Sequence, residues 1–425
     1  MNIKDVLALI RKGKLDCNLI DLYVDVALLE YQKQRYENAI LKFEELYGDG
    51  NIQIFSAPGR SEIGGNHTDH QHGKVLACAI NKDAIGIVKK TGTEEVRIVS
   101  DDSAEIVVDI TDLTIREEEK GSTLALIKGV LAGFCERGYK IGGFSAYITS
   151  DVLIGSGVSS SAAFETLIGT ILSGLYNGMT VSAVEIAMIG QYAENIYFGK
   201  PCGLMDQMAC SIGSLAYIDF YNPQKPVVEK ISFDLEKYGY SLCITDTKGS
   251  HADLTDEYAA VPEEMKRVAN YFSKDVLVDV SLDELLDKMA EMRNVLSDRC
   301  ILRAIHFLGE NKRVEEEATT LKNGDVASFL DKVQDSGNSS YRFLQNVYSV
   351  KNVHQQNVSL ALALSETVLG SKGVCRVHGG GFAGTIQAFV KNEDVKEYQM
   401  YMDQIFGAGS CSVLKIRKYG GIQVV

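Results

Sequence analysis

With 425 residues and a formal net charge of −14 at pH 7, the chain is long enough for about two or three domains, and it is too acidic to favour a nucleic-acid partner, which needs a basic surface. Its nine cysteines form no Cys-x-x-Cys pair, which argues against a disulfide framework or a zinc knuckle. Because the N-terminus lacks a signal peptide and no apolar run could span a membrane, we expect a cytoplasmic protein without a membrane partner, and a monomer is the simplest assembly.

The predicted elements alternate between helices and strands along the chain. About the first 50 residues are predicted to be helical, and Gly48 and Gly50 end the last of these helices. Apolar side chains from Phe164 to Leu175 recur at helical spacing and predict one face of a buried helix. Apolar and β-branched runs predict strands at 84–88, 144–148, 215–220, 385–390 and 413–417.

The segment 221–230 (YNPQKPVVEK) is predicted to connect two halves of the chain. We therefore expect an α+β fold of two lobes, residues 34–225 and 226–425, preceded by a helical N-terminal extension of residues 1–33.

A glycine- and serine-rich segment at 154–163 (IGSGVSSSAA) directly precedes the predicted buried helix. Gly155 and Gly157 let a ligand approach the backbone closely, and Ser159 lies near the helix N-terminus, where free N–H groups favour an anion. The segment therefore indicates a phosphate-binding loop, although an ordinary capped turn would show the same local pattern.

The other known phosphate-binding motifs are either absent or in the wrong structural context. The P-loop pattern G-x-x-x-x-G-K-[ST] is absent, and so are the protein-kinase motifs H-R-D and D-F-G. Gly379, Gly381 and Gly384 fit G-x-G-x-x-G, but the residues that follow predict a strand instead of a helix, so a dinucleotide-binding unit is excluded.

A dense polar cluster occupies the glycine-punctuated stretch 59–73. Its histidines, carboxylates and amide could bind a metal ion, or they could supply the donors and acceptors that sugar hydroxyls need. The local pattern leaves both interpretations open. The cluster consists of Arg60, Glu62, Asn66, His67, Asp69, His70 and His72.

Four segments in chain order together resemble the galactokinase branch of the GHMP kinases. Residues 57–76 (APGRSEIGGNHTDHQHGKVL) resemble the galactokinase signature G-R-x-N-x-I-G-E-H-T-D-Y-N-x-G. Residues 155–163 (GSGVSSSAA) and 379–384 (GGGFAG) resemble the second and third GHMP motifs. Residues 199–207 (GKPCGLMDQ) resemble the galactokinase element C-G-I-M-D-Q, so the resemblance extends over residues ~35–425.

The resemblance implies a two-lobe GHMP kinase fold, with a left-handed βαβ crossover in the N-terminal lobe and the active site between the lobes. It implies an ATP-dependent sugar 1-kinase that uses Mg²⁺, with galactose as the expected substrate. Asp206 would be the catalytic base, and Arg60 would stabilise the transferring phosphoryl group. Ser161 and Glu194 would bind Mg²⁺.

The remaining residues implied by the resemblance belong to two sets. The implied sugar contacts are Asn66, His67, Thr68, Asp69 and Tyr258. The implied ATP contacts are Gly155, Ser156, Gly157, Val158, Ser159, Ser160 and Ser161.

The polar stretch 59–73, the sugar loop, departs from the family signature. Glu62 and Gly64 stand where the signature has Asn and Ile, and Asn66 stands where it has Glu. An amide at position 66 repels a sugar carboxylate less than Glu does, so galacturonate is an alternative substrate. We expect Asn66→Glu to be tolerated by a galactose kinase and to inactivate a galacturonate kinase.

Other departures concern the nucleotide site. Thr123 and Leu126 align with an aromatic pair that flanks adenine in galactokinases, and the chain has no Trp, so the nucleotide preference stays open. His378 replaces the usual Thr before the glycine triplet. A non-catalytic sugar-sensing regulator and a metal-dependent hydrolase built on residues 67–72 are the competing functions.

Overall fold

The structure is a computed structural model that describes residues 1–101, 103–152, 157–249 and 254–425. The α-helices of the described residues are α1 (Ile3–Arg11), α2 (Asp16–Tyr23), α3 (Leu29–Tyr47), α4 (Thr123–Glu136), α5 (Ser160–Asn177), α6 (Ala183–Tyr192), α7 (Met205–Ile212), α8 (Thr255–Tyr271), α9 (Leu282–Asp287), α10 (Met289–Met292), α11 (Asp298–Lys322), α12 (Val326–Ser339), α13 (Asn357–Leu369) and α14 (Val395–Phe406). The strands are β1 (Gln53–Gly64), β2 (Lys74–Lys90), β3 (Glu95–Ser100), β4 (Ile106–Asp109), β5 (Phe144–Ser150), β6 (Leu215–Asp219), β7 (Val227–Ile231), β8 (Tyr240–Asp246), β9 (Gly373–His378), β10 (Thr385–Lys391), β11 (Cys411–Leu414) and β12 (Ile422–Gln423).

The first sheet has eight strands and is built around the long strand β2. One edge of β2 pairs with β1, and the other pairs with β6 near its start and with β5 near its end. Strand β3 pairs in parallel with β5, and α4 lies between these two strands in sequence, which makes a βαβ unit. The α+β architecture is therefore confirmed, whereas the handedness of this crossover stays a prediction.

The second sheet has four antiparallel strands in the order β11–β8–β10–β9. All of them come from the second half of the chain, but the last strand, β12, returns to the first sheet and pairs with β1 at Phe55 and Ser56. The two sheets are consistent with two lobes that share the C-terminal segment.

The predicted connection at 221–230 is partly wrong, because its second half forms β7, which pairs with β6 in the first sheet. Pro226 lies directly before β7 and so removes no ladder hydrogen bond from the strand interior. The chain passes to the second sheet only after Ile231. The lobe boundaries at 34, 225 and 226 remain predictions.

The main apolar core lies between the first sheet and helices α4 to α6. Helix α5 has the predicted apolar stripe, and its residues Leu167, Ile168 and Ile171 are fully buried. This packing fixes the helix axis, and therefore the place of its N-terminus.

The N-terminal helices pack on the first sheet through an apolar cluster that includes Ile3, Leu19 and Phe43. Helix α3 ends at Gly48, as predicted. A buried polar contact adds to this packing, since Asp83 of β2 accepts from Arg35 of α3 at 2.7 Å and from Arg417 at 2.9 Å. Across the parts of the chain that the structure describes, every helix is too short or too polar to cross a bilayer.

Candidate active site

The described part of the glycine- and serine-rich segment runs into the N-terminus of α5. Gly157 has φ +71°, and a Cβ there would lie 2.3 Å from Thr385 Oγ1, so this position requires glycine. Ser159 also has a left-handed backbone, and its side chain makes no hydrogen bond to the first turn of α5. The N–H groups of this turn are thus left without a serine cap, as an anion site requires. The predicted ATP contacts Gly155 and Ser156 lie outside the described residues.

Arg60 of β1 and Asp206 of α7 form a two-pronged ion pair, although they are 146 positions apart in the chain. Arg60 Nε donates to Oδ1 of Asp206 at 2.8 Å and Nη2 donates to Oδ2 at 3.0 Å. Arg60 also donates to the carbonyl of Gly157, and the Ser159 hydroxyl donates to Asp206. The predicted contact between Arg60 and Asp206 is confirmed, and it joins the glycine- and serine-rich segment to α7.

Asp206 is held in its ionised form. Burial raises the pKa of this carboxyl, but the charge and hydrogen bonds of Arg60 and the hydrogen bond from Ser159 outweigh burial and bring the pKa below its usual value. The side chain remains 34% exposed. A charged carboxylate with access to solvent can accept a proton from a ligand hydroxyl.

Ser161 and Glu194, the predicted magnesium ligands, also come together. The Ser161 hydroxyl donates to Glu194 Oε1 at 3.3 Å. Glu194 lies in a π-helical segment, Ala193–Phe198, which continues from α6. Such segments often occur at functional sites, and here the wider turn coincides with the buried carboxylate. A hydroxyl and a carboxylate are oxygen ligands that suit Mg²⁺ when nucleotide phosphates complete its coordination.

The five predicted sugar contacts divide into exposed and buried side chains. His67 and Tyr258 are partly exposed, and the Asp69 side chain is 9% exposed. Asp69 lies beside the start of α7, where Met205 N donates to its Oδ2 at 3.4 Å, and a Cβ at Gly203 would lie 1.7 Å from the same oxygen. Asp69 is therefore close to Asp206 in space. Thr68 is fully buried, and its hydroxyl hydrogen bonds to the carbonyls of Gly65 in the loop and Lys74 at the start of β2.

Asn66 is fully buried, and its amide group is occupied by protein partners. Its Nδ2 donates to Glu62 Oε1 at 3.1 Å and to the Gly379 carbonyl at 2.7 Å. Its Oδ1 accepts from Asn346 Nδ2 at 2.8 Å and from the Ser340 hydroxyl at 3.2 Å. The amide thus connects the loop to distant parts of the chain and leaves no free hydrogen-bonding atom for a sugar.

The carbonyls of the glycine triplet Gly379–Gly381 each accept a hydrogen bond from a predicted sugar contact. Asn66 donates to Gly379, His67 Nε2 lies 3.1 Å from the Gly380 carbonyl, and Tyr258 Oη donates to Gly381 at 2.7 Å. Burial lowers the pKa of His67 to about 3 and raises the pKa of Tyr258 to about 12, so both side chains stay neutral and keep their donor protons near pH 7. The triplet is therefore fixed against the sugar loop.

The residues that depart from the signature have partners far along the chain. Glu62 forms a fully buried ion pair with Arg376 of β9. A Cβ at Gly64 would lie only 1.8 Å from Glu317 Oε2 of α11, so the volume of the family's Ile is filled by the Glu317 carboxyl. Neither oxygen of Glu317 has a hydrogen-bond partner among the residues that the structure describes, and burial raises the pKa of this carboxyl well above its usual value.

The two residues aligned with the adenine-flanking pair differ in exposure. Thr123 is exposed at the start of α4, whereas Leu126 is buried within it. For the hydrolase hypothesis, the part of the chain that the structure describes contains no group of three His, Cys, Asp or Glu side chains arranged to hold a metal ion.

Comparisons with known proteins agree with this geometry. Residues 41–90 match the family model described as the galactokinase galactose-binding signature, and residues 125–214 match the N-terminal domain of GHMP kinases. A galactokinase from Glaesserella parasuis is 31% identical over 361 residues, which cover 84% of this chain and 89% of that protein. The chain belongs to the galactokinase family. It is therefore a phosphotransferase of the GHMP kinase type, and this family uses ATP.

Other family members and solved structures extend the likeness. A galactokinase from Streptomyces coelicolor is 28% identical over 88% of this chain and 94% of its own length. The crystal structure of Lactococcus lactis galactokinase with galactose superposes with a TM-score of 0.76 at 23% identity, over 90% of this chain and 98% of that one. Methanococcus jannaschii mevalonate kinase superposes with a TM-score of 0.60 at 16% identity, over 86% and 99% of the two chains. These structures share the two-lobe GHMP kinase fold.

Several side chains around the site carry no sequence signal of their own. Glu317, Arg376 and Asn346 lie outside every motif, so only the folded chain shows that they support the sugar loop. Gln207 is the last residue of the motif at 199–207 and Glu165 lies just after the motif at 155–163, but neither was predicted to have a role. Gln207 follows Asp206 directly, and this position in M-D-Q was the available signal.

Proposed function

We propose that the protein transfers the γ-phosphoryl group of ATP to the anomeric hydroxyl of galactose, giving ADP and galactose 1-phosphate. The ion pair between Arg60 and Asp206 carries the proposal, because it places a charged carboxylate and a fixed guanidinium next to the N-terminus of α5. Asp206 takes the proton of the anomeric hydroxyl while the anomeric oxygen bonds to the γ-phosphorus and the bond between the γ-phosphorus and ADP breaks. Arg60 stabilises the charge on the transferring group.

The nucleotide phosphates would lie at the N-terminus of α5, against the segment 157–161. The predicted magnesium ligands, Ser161 and Glu194, are suitably close and both offer oxygen atoms. The ion would neutralise phosphate charge in the transition state. On the protein side, Ser159 holds Asp206 through its hydroxyl and so aligns the base with the phosphate-binding turn.

Galactose would lie against the sugar loop, with Asp69 as an acceptor beside the start of α7, the helix that carries Asp206. His67 and Tyr258 would contact the sugar, whereas Asn66 and Thr68 would support the loop from beneath. Galactose is favoured over galacturonate because the buried arginine next to Asn66, Arg376, is already paired with Glu62. A sugar carboxylate would meet no free charge from that side chain.

The direct test is ADP release by the purified protein with ATP, Mg²⁺ and single sugars, including galactose, galacturonate, glucose and no sugar. We expect turnover with galactose to exceed turnover with every other sugar. Phosphorus and carbon NMR of the product should place the phosphate at the anomeric position. Preferred turnover of galacturonate would contradict the proposal and support a galacturonate kinase. Binding of galactose without any ADP release would contradict it and support a non-catalytic sugar-sensing regulator.

A further inference from the structure

The amide nitrogen of Gln207 contacts two buried carboxylates at once. It donates to Glu194 Oε2 at 2.8 Å and to Glu165 Oε2 at 3.1 Å. Gln207 is fully buried, and Glu165 and Glu194 are 1% and 4% exposed, so water does not take over these contacts. Two carboxylates this close repel each other, and the two hydrogens of one amide group are what connects them.

The contact with Gln207 gives the two oxygens of Glu194 different surroundings. Oε2 faces Gln207, whereas Oε1 lies 3.3 Å from the Ser161 hydroxyl and 3.3 Å from Lys200 Nζ. The Lys200 side chain is 64% exposed, so its contact with Glu194 is weakly held. The orientation of Oε1 towards Ser161 therefore depends mainly on the hydrogen bond from Gln207 at Oε2, to which a hydrogen bond between the Cys202 thiol and Glu194 adds.

We propose that Gln207 is a positioning residue that holds Glu194 with one oxygen turned towards Ser161, ready to bind the Mg²⁺ of the nucleotide complex. The inference rests on the proposed function for the identity of the ion. A group that hydrogen bonds to a metal ligand fixes the ligand's orientation, and loss of such a group typically lowers metal affinity about 10- to 100-fold. Helix α7 would thus carry two adjacent residues with separate tasks, Asp206 for the sugar proton and Gln207 for Glu194.

The amide is required at this position for reasons of charge and length. Glutamate at 207 would bring a third carboxylate against Glu165 and Glu194, and methionine would keep the length but donate no hydrogen bond. In both variants Glu194 loses the partner of its Oε2 and can turn away from Ser161. Asparagine keeps the amide but is one methylene too short to reach both carboxylates.

The test uses the full-length protein and measures how Mg²⁺ changes the thermal stability of the protein at a fixed ADP concentration. We expect the Mg²⁺ concentration at half-maximal stabilisation to rise about 10- to 100-fold in Gln207→Met and Gln207→Glu, and by less in Gln207→Asn. Stabilisation by ADP in the presence of EDTA should match the wild type, as should the KM for the sugar within about twofold. An unchanged Mg²⁺ midpoint in the variants would overturn the inference.

Ser211→Ala is the matched control, since Ser211 lies on the same helix, is buried and hydrogen bonds at 3.0 Å to Thr166, away from Glu194. It should keep the wild-type Mg²⁺ midpoint, and a rise equal to that of Gln207→Met would also overturn the inference by pointing to a general effect on α7. If Gln207→Met does not fold, Gln207→Asn decides on the same criterion. A wild type that binds ADP with Mg²⁺ but phosphorylates no sugar would refute the proposed function while leaving this test intact.

Discussion

Two neighbouring regions of the site relate differently to the family sequence. Around Arg60 and Asp206 the motifs match the family, and the folded chain brings these residues together as predicted. Beneath the sugar loop, Glu62, Gly64 and Asn66 all depart from the signature. Each departure there is accompanied by a contact with a residue far along the chain.

The difference between the regions shows that the departures are coupled to one another and to their surroundings. Relative to the signature, the acid and the amide have exchanged places at positions 62 and 66, and the exchanged pair is joined by a hydrogen bond of 3.1 Å. The carboxylate is at position 62, where Arg376 neutralises it, and the absence of a side chain at Gly64 leaves space for the Glu317 carboxyl. We therefore expect single reversions to the family residue to lower the stability of the protein in this region. In the phosphoryl-transfer region, we expect substitutions to lower kcat.

The largest effect is expected in the phosphoryl-transfer region. Asp206→Asn keeps the shape of the side chain but cannot accept the sugar proton, so kcat should fall about 10²- to 10⁴-fold. Stabilisation by ADP with Mg²⁺ should persist, because the proposed nucleotide contacts lie at the N-terminus of α5. Steady-state kinetics and thermal unfolding check this, and full activity would show that Asp206 has a structural role only.

Asn66→Glu tests the exchanged pair. A galactose kinase was expected to tolerate this change, but the structure predicts a loss of stability. The new carboxylate would be buried beside Glu62, and the Gly379 carbonyl would lose its donor. Leaving a charge uncompensated in the interior costs about 3–5 kcal/mol, so stability should fall by that order whichever sugar is the substrate. Urea unfolding measures the loss.

The double variant Glu62→Asn/Asn66→Glu separates the two explanations for that loss. It restores the signature at both positions but removes the partner of Arg376. We expect the double variant to be no more stable than Asn66→Glu. Arg376 loses the carboxylate at position 62, and the new carboxylate at position 66 lies in a different place. Full recovery of stability would show that Arg376 can pair with a carboxylate at position 66. The coupling would then be limited to positions 62 and 66.

Glu310 offers a pH-dependent test of the same region, since it accepts from the backbone N–H of Gly65 at 3.1 Å and from Ser336. Burial raises the pKa of Glu310, but His306, Arg313 and Arg376 outweigh burial and lower the pKa to about 2. A carboxyl with a lowered pKa contributes stability above its unfolded pKa of about 4.3, and this contribution is lost as the pH falls from there towards 2.

The expected result is that Glu310→Gln is less stable than the wild type at pH 7, by on the order of 3 kcal/mol, and that the difference shrinks as the pH falls below about 5. Urea unfolding at a series of pH values measures it. Glu315→Gln is the control on the same helix, because Glu315 is 51% exposed and pairs only at the surface with Lys74. A gap that stays constant with pH would contradict the pKa assigned to Glu310.

The smallest expected effect is that of Gly64→Ala, which introduces a single methyl group against the Glu317 carboxyl. Forcing an extra carbon into a packed interior costs about 1–3 kcal/mol. Glu317→Ala in the same chain should remove most of the cost of Gly64→Ala. Gly92→Ala, at an exposed position with no atom within 4 Å of the added carbon, should be neutral in chemical denaturation. A double variant as unstable as the sum of its parts would refute the packing explanation.

Much of the fold could be predicted because the information is local. The apolar stripe of α5 and the end of α3 at Gly48 follow from helical periodicity and glycine chemistry. The contact between Arg60 and Asp206 was predicted from the family resemblance, since no local pattern connects residues 146 positions apart. The same resemblance suggested that Asn66 faces the sugar, although its actual partners include Asn346, 280 positions away.

The rest could not be predicted because it depends on contacts that sequence patterns do not record. The partner of Glu62 is 314 positions away, and nothing near Arg376 marks it as a partner. The π-helical turn at Glu194 depends on one extra residue per turn, which apolar periodicity does not resolve. The strand β7 was mistaken for part of a connection because Pro223 and Pro226 precede it, and these prolines mark only its start.

The return of β12 to the first sheet has a mechanical consequence. The chain passes between the two sheets twice, once between Ile231 and Tyr240 and again after Leu414, where Ile416 pairs with Ile80. Two tethers confine any relative rotation of the lobes to an axis that passes near both, whereas a single tether would allow swivelling in several directions. A proteolytic nick in the first tether would cut the chain into two fragments, which would remain associated through noncovalent contacts such as the pairing of β12 with β1.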